Sequence, residues 1–134
     1  MQILVADDDP VYRSLLESLL EESHFEVVLA ADGAEAWAIL QQDDTPELAI
    51  LDWMMPNMDG YEVCRQVRAT KGNAVPYILL MTSNGHRDEL LRILVAGADD
   101  YLLKPFEPLD LKIHLRAAIR ILNLEAQLRP RSLT

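Results

Sequence analysis

Four short apolar runs in this chain end on groups that can do chemistry. Asp7-Asp8 follow Ile3-Leu4-Val5-Ala6, Asp52 follows Leu48-Ala49-Ile50-Leu51, Thr82 follows Tyr77-Ile78-Leu79-Leu80-Met81, and Lys104 follows Tyr101-Leu102-Leu103. Taken singly, Asp7, Asp52 or Asp100 would more often cap a helix or bond a loop amide, so the joint pattern carries the meaning. Asp7, Asp8 and Asp52 on one edge would repel one another and raise each other's pKa unless a cation is present. An all-oxygen donor set suits a hard divalent ion such as Mg²⁺, which takes one or two carboxylates, a carbonyl and several waters. Thr82 and Lys104 suit an anion instead: a hydroxyl and an ammonium, aided by backbone N–H groups past the strand ends, bind phosphoryl oxygens. A metal site and an anion site that meet at Asp52 describe phosphoryl transfer onto that carboxylate, with the metal bridging and Lys104 neutralising charge.

Elements of regular spacing must bring these residues together. Short continuous apolar runs read as strands buried on both faces, and parallel strands in one sheet share the edge where their carboxyl ends lie. Asp9 predicts a cap for a helix that begins at Pro10 and runs to about Ser23, with Leu15, Leu16, Leu19 and Leu20 as its apolar stripe. Phe25 to Ala30 is strand-like. Asp32-Gly33 leads into a helix carrying Ala34, Trp37, Ala38 and Leu40, and Pro46 excludes further helix. After Asp52, a turn at Pro56-Asn57 precedes a helix capped by Asp59, with Tyr61, Cys64 and Val67 at three- and four-residue spacing and a stop at Gly72-Asn73. Pro76 opens the fourth strand, Arg87 to Ala96 forms a helix closed by Gly97, and Asp100 to Leu103 is the fifth strand. The last helix runs from Pro108 to about Leu128, with Leu111, Leu115, Ala118, Ile119 and Leu122 toward the core and Pro130 beyond its end. Five β-α units predict an α/β fold with parallel strands and right-handed crossovers.

Bulk properties narrow the function. A chain of 134 residues is one domain by default. Twelve basic against twenty-two acidic residues give a net charge of −10, which opposes direct binding of this domain to nucleic-acid phosphates. No apolar run approaches the ~18 residues of a membrane span. Met1 leads straight into the first strand, so a cytoplasmic protein with no signal peptide and no membrane association is expected. Cys64 is the single cysteine, which excludes an internal disulfide, and its helical setting reads as a packed thiol. Asp9 reads as a cap rather than a ligand. Asp99 and Asp100 precede the strand body and read as surface groups, and His24, His86 and His114 lack metal-ligand spacing and read as solvated.

The motifs together resemble the response-regulator receiver domain of two-component signalling, of the chemotaxis-regulator kind. They are the acidic Asp7-Asp8-Asp9, the block Leu51-Asp52-Trp53-Met54-Met55-Pro56-Asn57-Met58-Asp59-Gly60, Met81-Thr82-Ser83, and Gly97-Ala98-Asp99-Asp100-Tyr101-Leu102-Leu103-Lys104-Pro105-Phe106. The resemblance implies a doubly wound, flavodoxin-like (βα)5 fold with a parallel five-stranded sheet of order 2-1-3-4-5. It implies Asp52 as phosphoacceptor, Mg²⁺ on Asp8, Asp52 and the Met54 backbone carbonyl with Asp7 reaching it through water, and Thr82 and Lys104 on the phosphoryl group. Tyr101 would be the switch aromatic, Lys104-Pro105 would be cis, and Met54 and Asn84 would tune the lifetime of the phosphoryl group.

The implied donor is a sensor histidine kinase or a phosphotransfer protein, and the domain modifies itself rather than turning over a metabolite. Its receiver portion would cover residues 1–122, with 123–134 extending the last helix as a tail or linker. There Ile121, Leu124 and Leu128, with Ala117 before them, have a and d spacing. The implied output is a second copy of the chain through the fourth helix, fifth strand and last helix, or an output domain such as a diguanylate cyclase. A haloacid-dehalogenase-type phosphatase also uses a strand-end Asp with Mg²⁺ but needs a second Asp two residues later, where Met54 stands here. A receiver-like module independent of phosphate would be expected to lack an acidic residue or the lysine, and this chain keeps them.

Overall fold

The structure, a computed structural model, describes residues 1–71, 76–83 and 85–128. Its elements are β1 Gln2–Ala6, α1 Pro10–Glu22, β2 Glu26–Ala30, α2 Gly33–Leu40, β3 Leu48–Asp52, α3 Gly60–Lys71, β4 Tyr77–Thr82, α4 Arg87–Ala96, β5 Asp100–Leu103 and α5 Pro108–Leu128. The strands form one five-stranded sheet of order β2-β1-β3-β4-β5 in which every pairing is parallel. This is the doubly wound α/β architecture expected from the sequence. The expected helix stop at Gly72-Asn73, and Pro130, lie outside the described residues.

Alternation hidden inside the apolar runs divides the core into two layers. Leu4, Ala6, Ala49, Leu51, Ile78 and Leu80 point to one face, where α2, α3 and α4 add Ala36, Leu40, Val63, Cys64, Val67 and Ile93. Ile3, Val5, Leu48, Ile50, Leu79 and Met81 point to the other, under Leu16 and Leu20 of α1 and Leu111, Leu115, Ala118 and Leu122 of α5. Each residue of β3 and β4 is buried, as expected of central parallel strands covered on both sides.

Helix ends follow local chemistry. Asp9 caps α1 through the Val11 N–H, with Pro10 at its first position. The Asp32 carboxylate accepts from the Glu35 N–H at the start of α2, and Asp59 accepts from Glu62 in α3. Gly97 closes α4 with φ 89°, a conformation that costs a side-chain-bearing residue.

Three helix faces differ from expectation. Leu15 is 45% exposed, leaving Leu16 and Leu20 as the buried positions of α1. In α2 it is Gly33, Ala36 and Leu40 that are buried, while Ala34 and Ala38 are exposed and Trp37 is half-buried. The cause is the start of the helix. A Cβ on Gly33 would lie 1.5 Å from the Met58 carbonyl oxygen, so α2 abuts the β3–α3 loop backbone, and that close approach sets its rotation. In α5, Ile119 is only half-buried because it borders an open groove with Phe25 and Arg116.

Candidate functional site

Among the described residues, the buried polar side chains are Asp7, Asp52 and Thr82, and all three stand at the carboxyl edge of the sheet. Backbone bonds hold that edge beyond the strand ends. The Asp7 N–H donates to the Ala30 carbonyl at 3.2 Å, the Trp53 N–H to Met81 at 2.8 Å, and the Lys104 N–H to Thr82 at 2.8 Å. Oxygens of Asp7, Asp8 and Asp52 all lie within 4.8 Å of one another, Asp8 being the exposed member. Lys104, the residue after β5 and joined to Pro105 by a cis bond, places Nζ 2.9 Å from Asp7 Oδ2 and 3.2 Å from Asp52 Oδ1. The other Asp7 oxygen accepts from the Asp9 N–H at 2.9 Å.

Burial is the first cause that pushes the Asp52 carboxyl up to about 6, and the Asp7 charge adds to it against the opposing pull of Lys104. Burial alone would lower the Lys104 ammonium, but its hydrogen bonds and charge contacts with Asp7 and Asp52 outweigh this and raise it. The ammonium thus serves as the site's resident cation. A carboxylate cluster with one amine shared between two of its members is short of positive charge, and a hard divalent cation supplies that.

The remaining predicted residues have definite places. Thr82 Oγ1 lies 3.4 Å from Glu89 Oε1 on α4, a long contact. Tyr101, 38% exposed, sits on the edge strand, where it lines a cleft of about 230 Å³ with Leu90, Ile93 and Leu94 of α4. The Met54 side chain is 70% exposed, two residues past Asp52. Asn84 lies outside the described residues. Asp9, as expected, caps.

Sequence reasoning missed several neighbours. Lys104 Nζ stands 4.0 Å from the Tyr12 ring centroid, and Arg13 donates to the Asp7 carbonyl at 2.8 Å. Both lie in the first turn of α1, directly after the acidic cluster, and that proximity was the available signal. Arg92 of α4 lies over Trp53 at 5.5 Å and over Tyr61 at 4.8 Å, tying α4 to the residue after Asp52. Two surface assignments need correction. His114 Nδ1 lies 2.5 Å from Asp100, so this histidine is paired rather than solvated. Asp99 accepts from Arg68 at 2.7 Å and from the Ile78 N–H at 2.8 Å, joining α3 to β4, and burial raises its carboxyl.

The family model described as Response regulator receiver domain matches residues 3–116. The chain belongs to this family. Response regulator MprA of Mycobacterium avium is 45% identical to the receiver over 120 residues, which make up 90% of this chain and 51% of MprA. The chain spans about half the length of the curated relatives it matches. Chemotaxis protein CheY4 of Vibrio cholerae resembles it with a TM-score of 0.80 at 31% identity, over 87% of this chain and 97% of that one. The receiver domain of sensor histidine kinase PA1611 from Pseudomonas aeruginosa gives a TM-score of 0.79 at 33% identity, over 88% of this chain and 96% of that one, and carries a magnesium ion in its active-site cleft. The receiver is therefore a module of two-component response regulators, a family that signals rather than turns over metabolites. Among its described residues, no helix is long and apolar enough to cross a membrane.

Proposed function

We propose that Asp52 is the phosphoacceptor of this receiver and that a phosphohistidine, on a histidine kinase or a phosphotransfer protein, is its donor. The observation that carries this is the shared ammonium: Lys104 Nζ lies within 3.2 Å of Asp52 Oδ1 while also bonded to Asp7. A nucleophile at a strand end thus has its charge-neutralising partner already beside it. One Asp52 oxygen attacks phosphorus, the bond from phosphorus to the imidazole nitrogen breaks, and the nitrogen keeps the electron pair. Lys104 follows the new phosphoryl oxygens, and the Thr82 hydroxyl donates to them.

The donor set fits Mg²⁺. Three carboxylates lie within 4.8 Å, all ligands are oxygen, and the cluster opens to solvent at Asp8. Asp8, Asp52 and the Met54 carbonyl would hold the ion, with Asp7 reaching it through water. When bound, it offsets the negative charge between the Asp52 carboxylate and the phosphoryl oxygens.

The switch would run through Thr82 and Tyr101 to the face formed by α4, β5 and α5, where Leu91, Leu94, Val95, Leu103 and Ile113 are exposed. A second copy of the chain or an output domain such as a diguanylate cyclase would read that face. A cytoplasmic location goes with a donor made from ATP. The test is incubation with a small phosphodonor and Mg²⁺, then mapping of the modified residue by mass spectrometry. Label on Asp52, absent from Asp52→Asn and kept in Asp9→Asn, is expected. Full labelling of Asp52→Asn would falsify the assignment, and continuous release of phosphate from a monoester substrate would favour a phosphatase.

A further inference from the structure

A groove opens on the face that α1 and α5 cover, at the end of α1 farthest from the acidic edge. α1 starts at Pro10, just past the carboxyl end of β1, and its 13 residues carry the chain about 20 Å away before Ser23 caps it. Phe25 follows, its N–H bonded to the Leu20 carbonyl at 3.1 Å and its ring half-buried against the core layer beneath α1 and α5. Ser23 and Phe25 form one wall of the groove. The other is Lys112, Leu115, Arg116 and Ile119, whose steps of three, one and three residues set them along two turns of one α5 face.

The charge of this groove departs from that of the rest of the chain. None of its lining residues is acidic, whereas the cleft beside β5 includes Asp100 and Asp110, the one at the start of α4 includes Asp88 and Glu89, and the one between them includes Asp99. In a chain of net charge −10, two cations without an acid are a local reversal. Lys112 and Arg116 are four residues apart on one helix, where like charges repel. Neither has an ion pair or a side-chain hydrogen bond among the described residues. An anion held between them relieves that repulsion. An inorganic anion would leave Phe25, Leu115 and Ile119 uncovered, so the ligand must also carry apolar surface. The groove holds about 300 Å³, the lower end of the range usual for small-molecule pockets, which suits a compact ligand of one or two rings.

We propose that this groove binds a small aromatic carboxylate, its ring on Phe25, Leu115 and Ile119 and its carboxylate between Lys112 and Arg116. A ligand so placed bridges the end of α1 to the middle of α5. The site goes beyond the phosphorylation reading and needs neither Asp52 nor Mg²⁺.

Nuclear magnetic resonance of the full chain titrated with 1-naphthoate tests this. Amide signals of Ser23 to Phe25 and of Lys112 to Ile119 should shift saturably, in Asp52→Asn as in the native sequence. Lys112→Glu or Arg116→Glu, both at exposed positions, should weaken binding about tenfold, the worth of one charge-assisted hydrogen bond. 1-Naphthalenemethanol, with the same rings and no charge, should bind several-fold more weakly than the acid. Dispersed spectra of each variant confirm that the fold is retained. Shifts that never saturate or that scatter over the chain, equal binding of the alcohol, or charge reversals without effect would each overturn the proposal. So would shifts at these residues with a helical peptide rich in Glu and Leu but none with 1-naphthoate, which would make the groove a protein-docking surface instead.

Discussion

Burial and the Asp7 charge put a measurable cost on the Asp52 carboxylate that Lys104 only partly offsets. Asp52 takes up a proton at about 6 in the folded chain, whereas its ordinary value is 3.8. Between those values the folded state binds a proton that the unfolded state has released. The group's contribution to stability therefore falls as pH rises through that window and stays flat above about 6. Asp52→Asn removes the strained charge. Without Mg²⁺ at pH 7 it should raise the unfolding free energy by about 1–2 kcal/mol, allowing for solvent around the group. Near pH 4 the gain should vanish. Identical melting curves for the two proteins from pH 4 to 8 would show that Asp52 bears no such cost. The residues of this cluster were legible because each ends an apolar run. The bond between Lys104 and Asp7 was not, since 97 residues separate them and only the β1-β3-β4-β5 order closes the gap. Tyr12, beneath the ammonium, escaped for the related reason that a helix's first turn has no apolar period to mark it.

Elements, rather than single residues, hold the β3–α3 loop that carries Met54. Asn57 adopts φ 71° there and donates to the Asp32 carboxylate at 2.9 Å, while Gly33 lies against the Met58 backbone. The start of α2 thus buttresses the loop beside Asp52. Gly33→Ala would set its Cβ 1.5 Å from the Met58 oxygen, backbone against helix, so neither side can yield by a rotamer change. A loss of about 1–3 kcal/mol in urea denaturation is expected, with weaker Mg²⁺ binding because the loop is displaced. Unchanged stability would mean that α2 can slide at no cost. The same contact explains why element bounds were read well and helix faces less so. Caps, prolines and Gly97 mark the bounds within the sequence itself. Which side of an eight-residue, alanine-rich helix faces inward depends on what its end strikes, and Met58 lies 25 residues away from Gly33. Side-chain pairs such as Arg68 with Asp99 and His114 with Asp100 were invisible for the same reason: each joins elements that meet only after the sheet has formed.

At the scale of the whole molecule, a domain of net charge −10 with a crowded acidic edge should gain stability from any cation that binds the folded state alone. Millimolar Mg²⁺ should raise the melting temperature of the native chain, and Asp8→Ala should abolish the shift. An undiminished shift in that variant would remove Asp8 from the ligand set. Coupling from this edge to a partner face needs a further ingredient, because a phosphoryl group shifts an equilibrium only by interacting better with one state than with the other. Thr82 is placed to supply the difference. Its hydroxyl lies 3.4 Å from Glu89 of α4, and Arg92 of the same helix rests on Trp53, next to Asp52. A phosphoryl oxygen that draws the Thr82 hydroxyl inward leaves Glu89 behind and frees α4 to shift over the Tyr101 cleft. Thr82→Ala should therefore still accept the phosphoryl group through Lys104 and Mg²⁺, yet lose most of the response of α4. Hydrogen exchange with and without beryllofluoride, a phosphoryl mimic, reads this directly: the native chain should change its protection across Arg87 to Ala96 and around Tyr101, and the variant only slightly. Were the native chain to show no change there, or the variant to respond as fully, the route from Asp52 to that face would have to bypass Thr82. The contact of Arg92 with Trp53 would then be the next link to test.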